Sequence, residues 1–179
     1  VLTGEVSPSG KLPDTIAYSV SDYPSDKYFG SGEEDRYGED IYVGYRYFET
    51  FARDKVRFPF GFGLSYTTFG MAAEFTSGED SVSANVTVTN TGSVPGREVV
   101  QIYCEAPQGR LGKPARVLCG FDKTWTIKPG ESERLTIDIP VESLASYDDS
   151  GATGHRCCWI LEGGTYRFYV GADVRSARE

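Results

Sequence analysis

The chain has 179 residues, a net charge of −8 and a mean hydropathy of −0.36, which together indicate a globular protein. No apolar run approaches the roughly 18 residues that a membrane span requires. The acidic balance argues against a nucleic-acid-binding protein, which would present a basic face.

The first 69 residues are rich in aromatic side chains and poor in signals of regular structure. They hold eight of the 12 Tyr and seven of the 10 Phe. The stretch from Ser7 to Ala17, "SPSGKLPDTIA", predicts a turn that runs into a short strand, and residues 19–40 predict a polar loop with acidic clusters. The stretch from Ile41 to Phe51, "IYVGYRYFETF", predicts a strand, because its aromatic and β-branched residues alternate.

The segment "VRFPFGFGLSYTTF", Val56–Phe69, has neither a helical period nor a clean strand alternation. Pro59 cannot donate to a strand ladder, and Gly61 and Gly63 permit backbone angles that are closed to other residues. The segment is therefore predicted to bend, so that its phenylalanines reach different contacts: Phe58, Phe60 and Phe62.

Residues 70–179 carry the pattern of an all-β sandwich. Seven short strands are separated by turn signals such as Lys128–Glu131, where Pro precedes Gly. This spacing is typical of an immunoglobulin or fibronectin type III sandwich. The predicted strands are "SVSANVTVTN", "REVVQIYCE", "ARVLCGF", "KTWTI", "ERLTIDIP", "CCWILE" and "TYRFYVGA".

The change in texture predicts two parts, residues 1–69 and residues 70–179. The first part has no second layer of its own to cover its 15 aromatic residues. It is therefore expected to lie against the sandwich, against another domain or against another chain.

Cysteine and histidine give no sign of a metal site or a cofactor. The spacing of Cys104, Cys119, Cys157 and Cys158 contains no CxxC motif, and His155 is the only histidine. Free thiols are favoured, and a Cys104–Cys119 bridge in an exported protein is the alternative. Localisation is not determined, although a cytoplasmic location is slightly favoured over secretion.

Several polar clusters are candidate chemical sites. The runs Glu33-Glu34-Asp35 and Glu39-Asp40 could be a catalytic pair or a Ca²⁺ loop, but a solvated loop is favoured because EF-hand spacing is absent. Asp148-Asp149 is interpreted as a solvated turn. His155 has no Ser or Cys partner in a nucleophile motif, so a triad is not expected.

One further cluster contains residues that often contact sugars. Aromatic rings and an arginine near a sugar site could stack on or hydrogen-bond a pyranose, although packing at an interface is favoured here. The cluster consists of Arg36, Tyr28, Tyr37 and Tyr42.

Motifs along nearly the whole chain resemble glycoside hydrolase family 3, the β-glucosidase family. "SPSGKLP", "DIYVGYRYF" and "FPFGFGLSYTTF", in that order, resemble the C-terminal part of the family. "VTNTGSVPGREVVQIY", "KPGES" and "W..EGGTYRFYVG" resemble its fibronectin-like terminal domain. Two positions depart from the family pattern: Ser7 stands where Asn is usual, and Phe62 where His is frequent.

The resemblance implies a multidomain enzyme with a barrel, an α/β sandwich domain and a fibronectin-like domain. It implies hydrolysis with retention, which uses two carboxylates about 5 Å apart. The nucleophilic Asp of the family lies in a Gly-Ser-Asp-Trp-like motif that this sequence lacks, and the acid/base Glu lies upstream of the matched part. No catalytic residue is therefore expected in this chain, and its substrate-binding residues are not assigned.

The function expected from the resemblance is that of a C-terminal portion or subunit of a retaining β-glycosidase, most simply a β-glucosidase. The expected partners are the remainder of the enzyme, on the same or a separate chain, and a β-glucoside substrate; neither nucleic acid nor a membrane is expected. Residues 1–69 would be the end of the α/β domain, and Val56–Phe69 would pack between that domain and the sandwich. The alternatives are a stand-alone fibronectin-like module that binds carbohydrate or protein, and a purely structural fragment.

Overall fold

The computed structural model describes residues 1–30, 32–34 and 36–179. The first part contains three short elements of regular structure: strand β1 (Ile16–Ala17), helix α1 (Tyr45–Phe51) and strand β2 (Val56–Phe58). Strands β1 and β2 pair antiparallel. Among the described residues of this part, 3₁₀ turns lie at Val20–Asp22, Pro24–Lys27 and Arg53–Lys55.

The second part is a sandwich of two antiparallel three-stranded sheets, so the predicted fold class is confirmed. The strands in chain order are β3 (Phe69–Ser77), β4 (Ser81–Asn90), β5 (Val99–Glu105), β6 (Val117–Lys123), β7 (Ser132–Pro140), β8 (Ser146–Asp148), β9 (Cys158–Ile160) and β10 (Arg167–Gly171). One sheet has the order β3-β4-β7, and the other has the order β10-β5-β6. Strands β8 and β9 form a separate two-stranded ribbon.

The core lies between the two sheets and follows the alternation of the sequence. Strands β4 and β7 contribute every second side chain to it, as expected for half-buried strands. Full burial of one such aliphatic side chain contributes about 1.5–3 kcal/mol. The buried aliphatic residues of β4, β5 and β7 are Ala84, Val86, Val88, Val100, Ile102, Leu135, Ile137 and Ile139.

Strand β5 departs from simple alternation because both of its faces are covered. Val100 and Ile102 face the other sheet, whereas Gln101 and Tyr103 are also buried, with 4% and 0% of their surface exposed. The side chains that cover this second face include Tyr45 and Phe60 from the first part. The first part therefore lies against the outer face of the β10-β5-β6 sheet.

Two predicted strands are wrong. Residues 45–51 form helix α1, which buries Phe48 completely against Ala17 and Val56. The alternation of aromatic residues suggests a strand. In the helix that forms instead, side chains on one face lie three and four residues apart. The stretch "KTWTI" is not a strand either; only Ile127 makes an isolated bridge, to Gly96, before the turn at Lys128–Glu131.

All four cysteines are free thiols, Cys104 buried and Cys157 exposed. Within the described part of the chain, no helix has the length and apolar character needed to cross a bilayer. Strand β3 starts at Phe69, and the division of the chain at residues 69 and 70 remains a prediction.

Candidate functional site

Residues 1–69, here called the tail segment, meet the sandwich in an aromatic cluster that we call the joint. The rings of Tyr45 and Phe60 lie 4.6 Å apart, and Tyr45 contacts Tyr103 edge-on at 6.1 Å. Val174 and Ala177, from the last residues of the chain, complete the cluster and are almost fully buried. Tyr103 is shut off from water, and this burial raises the pKa of its hydroxyl above the ordinary range.

Hydrogen bonds fix the orientation of helix α1 on the sandwich. The Tyr45 hydroxyl accepts from the Leu118 backbone N–H at 2.8 Å, and the Thr50 hydroxyl accepts from the Ala115 N–H at 2.9 Å. On the other side, the Val174 N–H donates to the Phe60 carbonyl at 3.1 Å. These bonds satisfy backbone groups near the joint that strand pairing leaves free.

A buried carboxylate joins helix α1 to the end of the chain. Glu49 is 6% exposed, accepts a hydrogen bond from Arg175 Nε at 2.9 Å and forms an ion pair with Arg53 Nε at 3.1 Å. Arg175 also donates through Nη2 to the Arg53 carbonyl. A buried charge needs such partners, because an unpaired one is strongly destabilising. Glu49 therefore ties helix α1 to the segment that contains Arg175.

The aromatic segment Val56–Phe69 bends as predicted, but its rings are arranged differently. Strand β2 ends at Phe58, directly before Pro59. Phe60 enters the joint, whereas Phe58 and Phe62 contact each other at 5.0 Å. The expectation that all three rings reach different contacts is therefore wrong for Phe58 and Phe62, because the turn between them brings the two rings together.

Beside the joint, helix α1 and the sandwich border a cleft of about 480 Å³. Trp159 on β9 and Tyr147 on β8 form an aromatic corner with ring centroids 5.5 Å apart. The two rings are 70% and 48% exposed. The charged residues of the cleft are Arg46, Lys113, Asp40 and Asp149. The cleft thus combines an open aromatic surface with charged groups of both signs.

Asp148 anchors the loop that closes the β8–β9 ribbon. Its side chain is fully buried, and one carboxylate oxygen accepts from Thr153 N at 2.8 Å and Thr153 Oγ1 at 2.7 Å. The other oxygen accepts from Gly151 N at 2.7 Å, from Ala152 N at 3.2 Å and from the Ser150 hydroxyl at 3.1 Å. The interpretation of Asp148 as a solvated turn residue is therefore wrong, whereas Asp149 beside it is exposed.

These hydrogen bonds, led by those from Thr153, hold the pKa of the Asp148 carboxyl well below its usual range. Because the folded-state pKa lies below the unfolded value of about 3.9, the carboxylate stabilises the fold above that value. The stabilisation is lost as the pH falls through the folded-state pKa. The stability that Asp148 contributes therefore changes with pH only under strongly acidic conditions and not near neutral pH.

We expect Asp148→Asn to lower the melting temperature at pH 7 by several degrees, because an NH₂ group would then face N–H or O–H donors. Asp149→Asn makes the same chemical change one residue later, on an exposed side chain, and should leave the melting temperature within about a degree, since surface changes cost roughly 0.5 kcal/mol or less. Thermal denaturation of the two variants checks this. Equal melting temperatures for both variants would show that Asp148 does not anchor the loop.

An ion pair fixes the opposite wall of the cleft. Glu162 contacts the ammonium of Lys113, which is 6% exposed, and accepts from the Arg110 backbone N–H at 2.6 Å. The Lys113 bond lowers the pKa of the Glu162 carboxyl. Cys104 and Cys119 also border this cleft, and burial raises their thiol pKa values to about 11 and about 12. Both thiols are therefore protonated and weakly nucleophilic at neutral pH.

The acidic and aromatic loop residues come together only in part: Tyr28, Glu33, Glu34 and Arg36 border one small pocket of about 280 Å³. Glu34 accepts from Arg36 Nε at 2.8 Å on an exposed surface, and Asp35 lies outside the described residues. Tyr42 packs on Phe51 at 4.9 Å, whereas Tyr37 is 96% exposed. Among the residues described, no group of three His, Cys, Asp or Glu could hold a metal ion.

The tail segment leaves a large apolar surface uncovered. The most exposed of its large apolar side chains are between 70% and 100% accessible: Leu2, Val20, Phe29, Tyr37 and Leu64. The sequence signal for this surface was the excess of aromatic residues without a second layer.

Comparison with known proteins assigns both parts of the chain. Residues 1–66 match the glycosyl hydrolase family 3 C-terminal domain, and residues 98–174 match a fibronectin type III-like domain. A β-glucosidase of Ruminococcus albus is 59% identical over 179 residues, which cover 100% of this chain and 19% of that enzyme. An exo-alpha-(1->6)-L-arabinopyranosidase of Bifidobacterium breve is 39% identical over 184 residues, covering 100% of this chain and 23% of that enzyme.

The fold agrees with this assignment. The structure of a β-glucosidase from Paenibacillus barengoltzii superposes with a TM-score of 0.96 at 56% identity, covering 99% of this chain and 20% of that one. The chain therefore spans about a fifth of the length of these relatives. It belongs to glycoside hydrolase family 3, as a C-terminal region in which an aromatic tail segment packs on a fibronectin type III-like sandwich.

Proposed function

We propose that this chain is the C-terminal part of a β-glucosidase and that it positions the domains that carry the reacting groups. The observation that carries the proposal is the uncovered apolar surface of the tail segment, where Leu2 and Phe29 are 100% and 90% exposed. Strand β1 adds Ile16, 40% exposed, and forms only a two-stranded piece of sheet with β2. Such a surface is stable only when another layer covers it.

The joint gives this role a mechanical basis. Helix α1 is held on the sandwich by the aromatic cluster and by Glu49. A domain that docks on the tail segment therefore has a fixed orientation relative to the sandwich. A displacement of about 1 Å at a reacting group can cost on the order of a hundredfold in rate. The two carboxylates of the proposed retaining mechanism would both lie in the remainder of the enzyme.

The 59% identity to a β-glucosidase supports glucose as the sugar that is released. The arabinopyranosidase at 39% identity indicates that related C-terminal regions accompany different sugar specificities. A stand-alone binding module is less well supported, since such a module has no need of an apolar tail segment that is left uncovered.

We expect the isolated chain to give only background release from an aryl β-glucoside, and a mixture with the separately produced remainder of the enzyme to give turnover. The physical reason is that this chain supplies an interface and no reacting carboxylate. Turnover by the isolated chain that disappears when one of its carboxylates is replaced would overturn the proposal, as would a failure of the two parts to associate.

A matched pair of variants tests the docking surface itself. Phe29→Glu introduces a charge on the tail segment, and Phe121→Glu introduces the same charge on the sandwich, at a side chain that is 68% exposed. The first variant should weaken association and turnover, and the second should change neither. Equal effects of both variants would argue against docking through the tail segment.

A further inference from the structure

The cleft beside the joint has the size and chemistry of a binding site for a small neutral ligand. Its volume of about 480 Å³ falls within the roughly 300–1,000 Å³ of small-molecule sites. Trp159 and Tyr147 offer an apolar surface, and both rings remain largely open to solvent. Such sites characteristically combine apolar and aromatic walls with a few polar groups that fix orientation.

The charged groups of the cleft differ in their partners: Lys113 is paired with Glu162, whereas the side chains of Arg46 and Asp149 are available. Among residues 1–30, 32–34 and 36–179, the Arg46 guanidinium and the Asp149 carboxylate make no hydrogen bond or ion pair. The side-chain hydrogen bonds at these two residues, from Thr50 and Arg156, go to their backbone carbonyls. Asp40 adds a second exposed carboxylate. The guanidinium would repel a cation, and the two carboxylates would repel an anion. The arrangement therefore fits a neutral ligand that both donates and accepts hydrogen bonds.

The walls of the cleft are held in place before any ligand arrives. Asp148, with five hydrogen bonds, fixes the loop next to Asp149 and the ribbon that carries Trp159. Lys113 and Glu162 pin the segment on the opposite side. A preorganised site loses little conformational freedom on binding, and this favours affinity for a weakly binding ligand.

We propose that this cleft binds a β-linked glucose oligosaccharide, with one sugar ring stacked on Trp159 and its hydroxyls bonded to Arg46 and Asp149. A pyranose has an apolar face and a rim of hydroxyls, and these two features match the aromatic corner and the free polar groups. The choice of β-linked glucose rests on the proposed β-glucosidase function. The cleft itself rests only on the geometry of this chain.

The two tryptophans of the chain allow a matched test. Trp159 is 70% exposed in the cleft, and Trp125 is 75% exposed elsewhere on the sandwich, where Arg97 lies over its ring at 5.8 Å. Cellotetraose is titrated calorimetrically into the complete enzyme, with D-glucono-1,5-lactone at saturation to occupy the reacting centre. We expect Trp159→Ala to weaken cellotetraose binding by about tenfold or more, as removal of a central aromatic anchor does. Trp125→Ala should leave it unchanged, and Trp159→Phe should retain part of it.

Turnover of an aryl β-glucoside without lactone, measured in the same preparations, separates the two proposals. Turnover without cellotetraose binding would refute oligosaccharide binding in the cleft and would leave the proposed β-glucosidase function intact. Binding that depends on Trp159 in a protein without turnover would refute the function and keep the cleft. Binding that Trp159→Ala leaves unchanged, or that Trp125→Ala weakens equally, would overturn the assignment of the cleft. Melting temperatures of all variants show whether a loss reflects unfolding.

Discussion

Phe60→Ala is expected to destabilise the protein by about 2–3 kcal/mol and to lower turnover of the assembled enzyme. Truncation of a fully buried Phe lowers the free energy of unfolding by about 3–5 kcal/mol. Because Phe60 is only half-buried, its truncation should cost less than that of a fully buried ring. The lost ring contacts Tyr45, and the cluster around it includes Tyr103 and Val174, so the gap would open between helix α1 and the sandwich. The sandwich core does not contain Phe60, and its folding should survive.

Phe121→Ala is the control, because it makes the same truncation at a ring that is 68% exposed on β6. A surface change of this kind costs roughly 0.5 kcal/mol or less. Thermal denaturation and rates with an aryl β-glucoside, measured on both variants, give the comparison. If Phe60→Ala matches Phe121→Ala in melting temperature and rate, the joint does not couple the tail segment to the sandwich.

The sandwich was predictable because its strands obey a local rule. Strand β4 alternates buried and partly buried side chains, and β7 alternates buried and exposed ones, so the sequence pattern predicts the fold. Strand β5 shows where this rule ends. Tyr103 belongs to the outward set of the alternation, yet it is fully buried, because a distant part of the chain folds back over it.

Helix α1 could not be predicted from its own residues. Aromatic residues favour strands, and the helix is stabilised because Phe48 and Glu49 find partners in distant parts of the chain, at Ala17 and Arg175. Tertiary contacts override local preference here. The same applies to Asp148, which looks like half of an exposed acidic pair until the loop folds its donors around it.

The sequence predicts one role for Gly61 and Gly63, which is access to backbone angles closed to other residues. The structure shows a different reason for glycine at each position. Gly61 has a φ of +82°, a conformation that other residues rarely adopt. Gly63 does not have a positive φ; instead, a Cβ atom there would lie 2.5 Å from the Gly10 carbonyl oxygen. The second role depends on a chain segment more than 50 residues away, so it is invisible in the local sequence.

Gly61→Ala is expected to destabilise the protein by about 2–4 kcal/mol, which combines a backbone cost of roughly 1–2 kcal/mol with a steric one. A Cβ at this position would lie 2.5 Å from Gln101 Oε1 and 2.9 Å from the Asp173 Cα. Gln101 cannot easily yield, because its side chain is buried, donates to the Ala172 carbonyl at 2.9 Å and accepts from the Tyr103 hydroxyl. The substitution would thus disturb the joint through the hydrogen bond between Gln101 and Tyr103.

Gly10→Ala provides the matched control, because no atom lies within 4 Å of a Cβ built there and its φ is not positive. Chemical denaturation of both variants measures the free energies of unfolding, and only Gly61→Ala should shift the midpoint strongly. A Gly61→Ala variant as stable as Gly10→Ala would mean that Gln101 and the turn relax freely. The tail segment would then be loosely attached, and a rigid coupling between the sandwich and the docked domains would lose its physical basis.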